Sequence, residues 1–111
     1  MVPAVAYDVL GRPAKASNFG HSIGRSGVGA PGERITNLAA DGDLHLFGGT
    51  SAAAAFVSGA MALLWSESPR ATAASIRRAV IHSTTRRSSV VPPLLNAWKA
   101  YRNLAETGLT R

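Results

Sequence analysis

The sequence predicts an α/β fold, short strands leading into helices, on three observations. Small apolar residues fill Val2 to Asp8 and recur in turn-bounded stretches as far as Phe47. A glycine turn at Gly48-Gly49 then opens onto the most apolar helical stretch of the chain, Ala52 to Trp65. Two further helical patterns follow it, one of them amphipathic with its arginines turned outward.

Taken in order, Val2 to Val9 alternates imperfectly before the turn Leu10-Gly11-Arg12-Pro13, so Val2 to Asp8 reads as a buried strand. Lys15 to Gly20 reads as a short extended piece, and the Gly, Ser and His residues that follow, to Gly27, as loop. Val28 to Gly32 is a second turn-bounded segment. Glu33 to Asn37 reads as a strand, Leu38 to Asp43 as a polar turn, and Leu44 to Phe47 as a short strand that delivers the chain to the glycine turn. Asp41-Gly42-Asp43 lacks the spaced acidic ligands and distal glutamate of a calcium loop and reads as a hairpin turn. Ser66 to Pro69 ends the central helix, which reads as buried. Thr72 then caps a helix from Ala73 to Ser83, with Ile76, Ala79, Val80 and Ser83 on one face and Arg77 and Arg78 turned away. Arg86 to Val91 reads as polar linker. Pro92-Pro93 precedes a third helix from Leu94 to Glu106, with Leu95, Trp98, Tyr101 and Leu104 or Ala105 at helical spacing, and Trp98 and Tyr101 read as core anchors.

The chemistry concentrates at the glycine turn. Gly48 and Gly49 give the backbone freedom that other residues lack, and Thr50 and Ser51 are good N-cap types for a helix starting near Ala52. Negative charge developing beside Ser51 would meet unpaired N–H groups and the positive end of the helix dipole, which suits a nucleophile's oxyanion. By spacing alone, Ser51 reads first as a plain cap of a buried helix.

At 111 residues the chain is the size of one small domain. Hydrophobic residues make up 46% but aromatic ones only 6%, so the core is expected to be shallow and rich in alanine. The absence of cysteine excludes a disulfide framework, a thiolate nucleophile and a cysteine zinc site. Met1 to Leu10 lacks the basic and long apolar regions of a signal peptide, and Ala52 to Trp65 is too short to span a bilayer. The net charge of +6, with Arg70, Arg77, Arg78, Arg86 and Arg87 in the C-terminal half, raises nucleic acid as a partner. No groove-reading helix, aromatic platform or glycine clamp accompanies it, so the charge reads as a solvated arginine surface.

Gly49-Thr50-Ser51-Ala52-Ala53-Ala54-Ala55-Phe56-Val57-Ser58-Gly59 resembles the nucleophile motif of the subtilisin-like serine proteases, or subtilases (peptidase S8), usually Gly-Thr-Ser-(Met/x)-Ala-x-Pro-His-Val-(Ala/Ser)-Gly. Gly49, Thr50, Ser51, Ala53, Val57 and Gly59 match; Ala55 and Phe56 replace Pro-His, and Ala52 replaces the frequent Met. Val5-Ala6-Tyr7-Asp8, Ala14 to Gly20 and Ala30-Pro31-Gly32 are similar to the Val-x-Ala-Val-Asp, Ala-x-Phe-Ser-Asn-x-Gly and Ala-Pro-Gly segments of that family, in its order. Leu94-Leu95-Asn96-Ala97 is similar to its terminal segment, with Pro93 where a glycine is usual. The resemblance implies that residues 1–111 are the C-terminal portion of a subtilisin-like three-layer domain with a parallel sheet and a central helix starting at Ser51. It further implies that Ser51 is the catalytic nucleophile, that Gly49, Thr50 and Ser51 form the nucleophile turn, and that the Ser51 N–H is half of the oxyanion hole.

In this family the triad runs Asp, His, Ser along the chain. The candidates preceding Ser51 by type are Asp8, Asp41, Asp43, His21 and His45, and none sits in the family's surroundings: His21 is followed by Ser-Ile-Gly rather than Gly-Thr, His45 lies between leucines, and Asp8 precedes Val-Leu-Gly. All five read as surface or turn residues, and His82 fares no better. The resemblance thus implies serine endopeptidase chemistry with the Asp, His and oxyanion Asn lying outside this chain, as in a truncation, a split-gene half or a decayed protease. The alternative is a non-catalytic binding or assembly half that pairs with a separate N-terminal piece. The expected partners are a peptide or protein substrate and a complementing chain, with no membrane, nucleic acid, metal or cofactor.

Overall fold

Val5, Ala6 and Tyr7 are buried because β1 (Ala4–Tyr7) lies under a helix and beside a second strand, β2 (Val28–Pro31). The two run parallel, in register from Ala4 opposite Val28 to Tyr7 opposite Pro31. The computed structural model describes residues 2–14, 21–83, 91–108 and 110. Parallel strands require a crossover rather than a tight turn, and this one carries the short helix α1 (His21–Ser26), closed by the Gly27 N–H on the Ile23 carbonyl at 2.7 Å. That replaces the loop expected from its Gly and Ser content. The extended piece expected at Lys15 to Gly20 lies outside the described residues, as does the linker expected at Arg86 to Val91 except for Val91 itself.

On its other edge β2 takes backbone pairing from the far end of the chain. The Gly29 N–H donates to the Pro93 carbonyl and the Leu95 N–H to the Gly29 carbonyl, both at 2.7 Å. This explains why α4 (Ala97–Ala105) starts three residues later than the sequence pattern suggests. Leu94 is bridged to Gly29 and cannot be helical at the same time, and Asn96 caps the helix instead, its side chain accepting from the Lys99 N–H at 2.9 Å. The Tyr7 hydroxyl donates to the Pro92 carbonyl at 2.7 Å, tying β1 to the same segment.

The remaining helices are α2 (Thr50–Glu67) and α3 (Ala73–Ile81). Thr72 caps α3 as expected, accepting from the Ser75 N–H at 3.1 Å, and Ile76, Ala79 and Val80 are buried while Arg77 and Arg78 are exposed. One core joins Ala6, Val28 and Ala30 of the strands to Ala53, Val57 and Leu64 of α2, Ile76 and Val80 of α3, and Ala100 and Leu104 of α4. Its largest fully buried side chains are aliphatic, Ile76 and Leu104 among them, so the shallow, alanine-rich core is as composition predicts. Trp98 corrects the expectation of an aromatic anchor: it is 68% exposed, stacked on the half-buried Tyr101 with ring centroids 5.5 Å apart.

β3 (Ile35–Leu38) and β4 (Leu44–Phe47) form a separate antiparallel hairpin, in register from Ile35 opposite Phe47 to Leu38 opposite Leu44. Its turn is built as the sequence suggests, with Gly42 at φ 87° and the Asp43 N–H donating to Asp41 at 2.9 Å. The central helix is not buried all round, contrary to expectation. Ala53, Val57 and Leu64 are covered, whereas Phe56, Leu63 and Trp65 are exposed, because only one of its faces meets the strands and the later helices. Among the described residues, no helix is long and apolar enough to cross a membrane.

Candidate active site

The hairpin ends at Phe47, and the next two residues turn the chain into α2. Gly49 makes that turn at φ 94°, a conformation that favours glycine, and its N–H donates to the Gly32 carbonyl at 2.6 Å, anchoring the turn to the Ala30-Pro31-Gly32 segment. Gly48 needs no such freedom, since its φ lies outside the left-handed region. The capping expected of Thr50 and Ser51 is also corrected. Gly49 is the N-cap, without a side chain to accept a bond, and Thr50 and Ser51 form the first turn itself.

The Ala52 and Ala53 N–H groups reach back to the Gly49 carbonyl, at 3.2 and 3.3 Å. Among the described residues, the Thr50 and Ser51 N–H groups have no acceptor, as the first amides of a helix do not. Ser51 is exposed, its hydroxyl is not used as a cap, and it borders an open groove of about 670 Å³ between the hairpin and the outer face of α2. Ile35, Phe47, Ala55, Phe56 and Leu63 make that groove apolar, and Asn37 adds an amide; among the described residues no titratable side chain lines it. Motif and spacing do not reveal this groove. Its signal lies in the hairpin, where Leu44, Leu46 and Phe47 are apolar on both faces of a strand too short to be buried twice.

Asp8, Asp41 and His45 are engaged elsewhere. Asp8 accepts from the Leu10 and Arg12 N–H groups at 2.9 Å and pairs with the Arg12 guanidinium at 3.0 Å. The Arg12 N–H bond leads in holding its carboxyl below the usual aspartate range, helped by the Leu10 N–H and the guanidinium against partial desolvation. It is a turn cap. His45 and Asp41 pair with each other at 2.9 Å, both half-exposed on the hairpin. His21 opens α1, and His82 is the C-cap of α3, at the far end of the helix that follows α2. Among the described residues no cluster of His, Cys, Asp or Glu could hold a metal ion.

A glycine turn thus seats a serine, free of capping duty, in the first turn of an alanine-rich helix. The sequence profile described as Subtilase family matches residues 4–108. The chain belongs to the subtilase family. It is 40% identical over 78 residues to a subunit of the subtilase cytotoxin of Escherichia coli, a match covering 66% of this chain and 22% of that protein. The structure is similar to the self-cleaved protease domain of PatA, with a TM-score of 0.83 at 31% identity over 95% of this chain and 42% of that one. It is also similar to the prenylagaramide maturation protease PagA, with a TM-score of 0.84 at 28% identity over 94% of this chain and 42% of that one. This subtilase chain therefore spans less than half the length of these relatives. The α/β fold and the subtilase family are those the glycine-turn motif implied.

Proposed function

We propose that residues 1–111 are the C-terminal portion of a subtilase catalytic domain and that Ser51 is its nucleophile. The observation that supports this most is the exposed Ser51 in the first turn of α2, beside unpaired N–H groups and at the rim of an apolar groove. In peptide hydrolysis the Ser51 Oγ would bond to the scissile carbonyl carbon while its proton passes to a base. The carbonyl oxygen would take the negative charge against the Ser51 N–H and a second donor. The C–N bond then breaks, the amine leaves with the proton, and water releases the acyl group by the reverse sequence. Base, orienting acid and second oxyanion donor are assigned to polypeptide other than these residues, since His45 is paired with Asp41 and His82 caps the end of α3.

Without a base a serine hydroxyl is a weak nucleophile, and in subtilisin itself loss of the histidine alone lowers kcat about 2 × 10⁶-fold. The expected outcome is that the chain alone neither cleaves peptides nor takes a fluorophosphonate label at Ser51. Adding a polypeptide with the family's Asp, His and Asn should make labelling appear, and Ser51→Ala should abolish it. Labelling of the chain alone would overturn the assignment of the base. A second reading, a non-catalytic assembly half, draws on the same apolar groove, and it is favoured if the complementing polypeptide binds but no label is acquired.

A further inference from the structure

The charge of this protein is segregated along the chain. Eight of its twelve Lys and Arg residues lie from Arg70 onward, where Glu106 is the single acidic side chain. In the structure that excess meets a concavity. A cleft of about 270 Å³ opens between α3 and α4, lined by Ser75, Arg78, His82, Asn103 and Thr107 over a floor of Ala79 and Leu104. Among the described residues the lining holds no carboxylate, and Ser75, Arg78, His82 and Asn103 are of types that donate hydrogen bonds. The Asn103 amide ties the two walls together by donating to the His82 carbonyl at 3.3 Å, and the Thr107 hydroxyl is turned back onto α4, donating to the Leu104 carbonyl at 2.6 Å. Among the described residues the Arg78 guanidinium and the His82 ring have no hydrogen-bond or ion-pair partner.

We infer that the α3–α4 cleft binds an oxyanion, a carboxylate or a phosphate, with Arg78 as its charged donor and His82 and Ser75 as flanking donors. A guanidinium matches the paired oxygens of either group, and a concave, donor-lined wall strengthens that bond relative to a flat surface open to water. The volume suits one such group or one acidic side chain, not a duplex or a folded surface. The cleft lies on the helices that follow α2, apart from the groove at Ser51, so it is independent of the proposed catalytic role.

The test is calorimetric titration of the chain at low and moderate salt with inorganic phosphate and, separately, with a glutamate-rich peptide. Arg78→Gln is compared with Arg25→Gln, which removes the same charge from α1. Arg78→Gln should weaken binding at least about tenfold, the scale of one charged hydrogen bond, while Arg25→Gln changes it little. The His82 ring resonances should move on titration. Phosphate binding without the peptide would identify a small-ion site, and peptide binding displaced by phosphate would identify an acidic partner segment; both support the cleft. Equal losses in the two variants, or no binding of either probe, would overturn it. So would an oligonucleotide held undiminished by Arg78→Gln, since that would assign the charge to a diffuse surface.

Discussion

The two sides of α2 are made from one helix and meet opposite fates. On one side Ala53, Val57 and Leu64 are at most 5% exposed, closed in by β1, β2 and the C-terminal helices. On the other, Phe56 and Leu63 are 46% and 71% exposed and face the hairpin, whose Leu44 and Leu46 are open as well. Apolar content does not distinguish the two sides; the presence of a partner does. Contiguous exposed apolar surface of this kind is what further polypeptide or a ligand would cover, and it adjoins the serine on which the proposed chemistry depends.

The largest difference should appear on truncating a side chain in each region. Ile76→Ala, in the closed region, is expected to cost about 2–5 kcal/mol, since it leaves a cavity among residues that cannot collapse around it. Leu46→Ala on the hairpin should stay within about 0.5 kcal/mol. Urea denaturation of both variants measures the contrast, and equal costs would mean that the hairpin is packed in solution.

Self-association probes the open side directly. The chain is expected to be marginally stable and to associate through the outer face of α2, and the double change Phe56→Ser, Leu63→Ser should shift sedimentation toward the monomer without loss of helix content. A monomeric parent with a sharp cooperative melt would remove the contrast between the two sides.

The smallest effect sharpens the comparison at the helix starts. Asn96→Ala should destabilise by about 1 kcal/mol because it removes a cap that accepts from the Lys99 N–H. Ser51→Ala should be close to neutral, within about 0.5 kcal/mol, because Ser51 caps nothing. Thermal melts of the two variants decide it, and a costly Ser51→Ala would make the serine a structural residue.

Legibility in the sequence followed the same division. Thr72, Ile76 and Val80 announced α3 because its cap and its buried face are local to the helix. Leu44 to Phe47 and the turn at Asp41 to Asp43 were likewise readable from composition. The start of α4 was not, because Leu94 is claimed by Gly29, a residue far back in the chain, and helical periodicity carries no record of that pairing. Trp98 misled for a related reason: size suggested burial, but its neighbour is Tyr101 rather than the core. At the candidate site the position of Ser51 was legible from the glycine turn. The capping role given to it was not, because the backbone twist at Gly49 places the cap two residues earlier.

The bond from the Tyr7 hydroxyl to the Pro92 carbonyl spans 85 positions of the chain. Together with the pairing of Gly29 to Pro93 and Leu95, it makes the last strand-like segment the piece that closes the edge of β2. During synthesis, then, β1 and β2 emerge long before the backbone that satisfies them. Until residues 92–95 leave the ribosome, the Gly29 amide and carbonyl stand open as an unpaired strand edge, and closing so long a loop is slow. The nascent chain passes through an interval in which β2 presents an adhesive edge, and it ends when the segment just before α4 arrives.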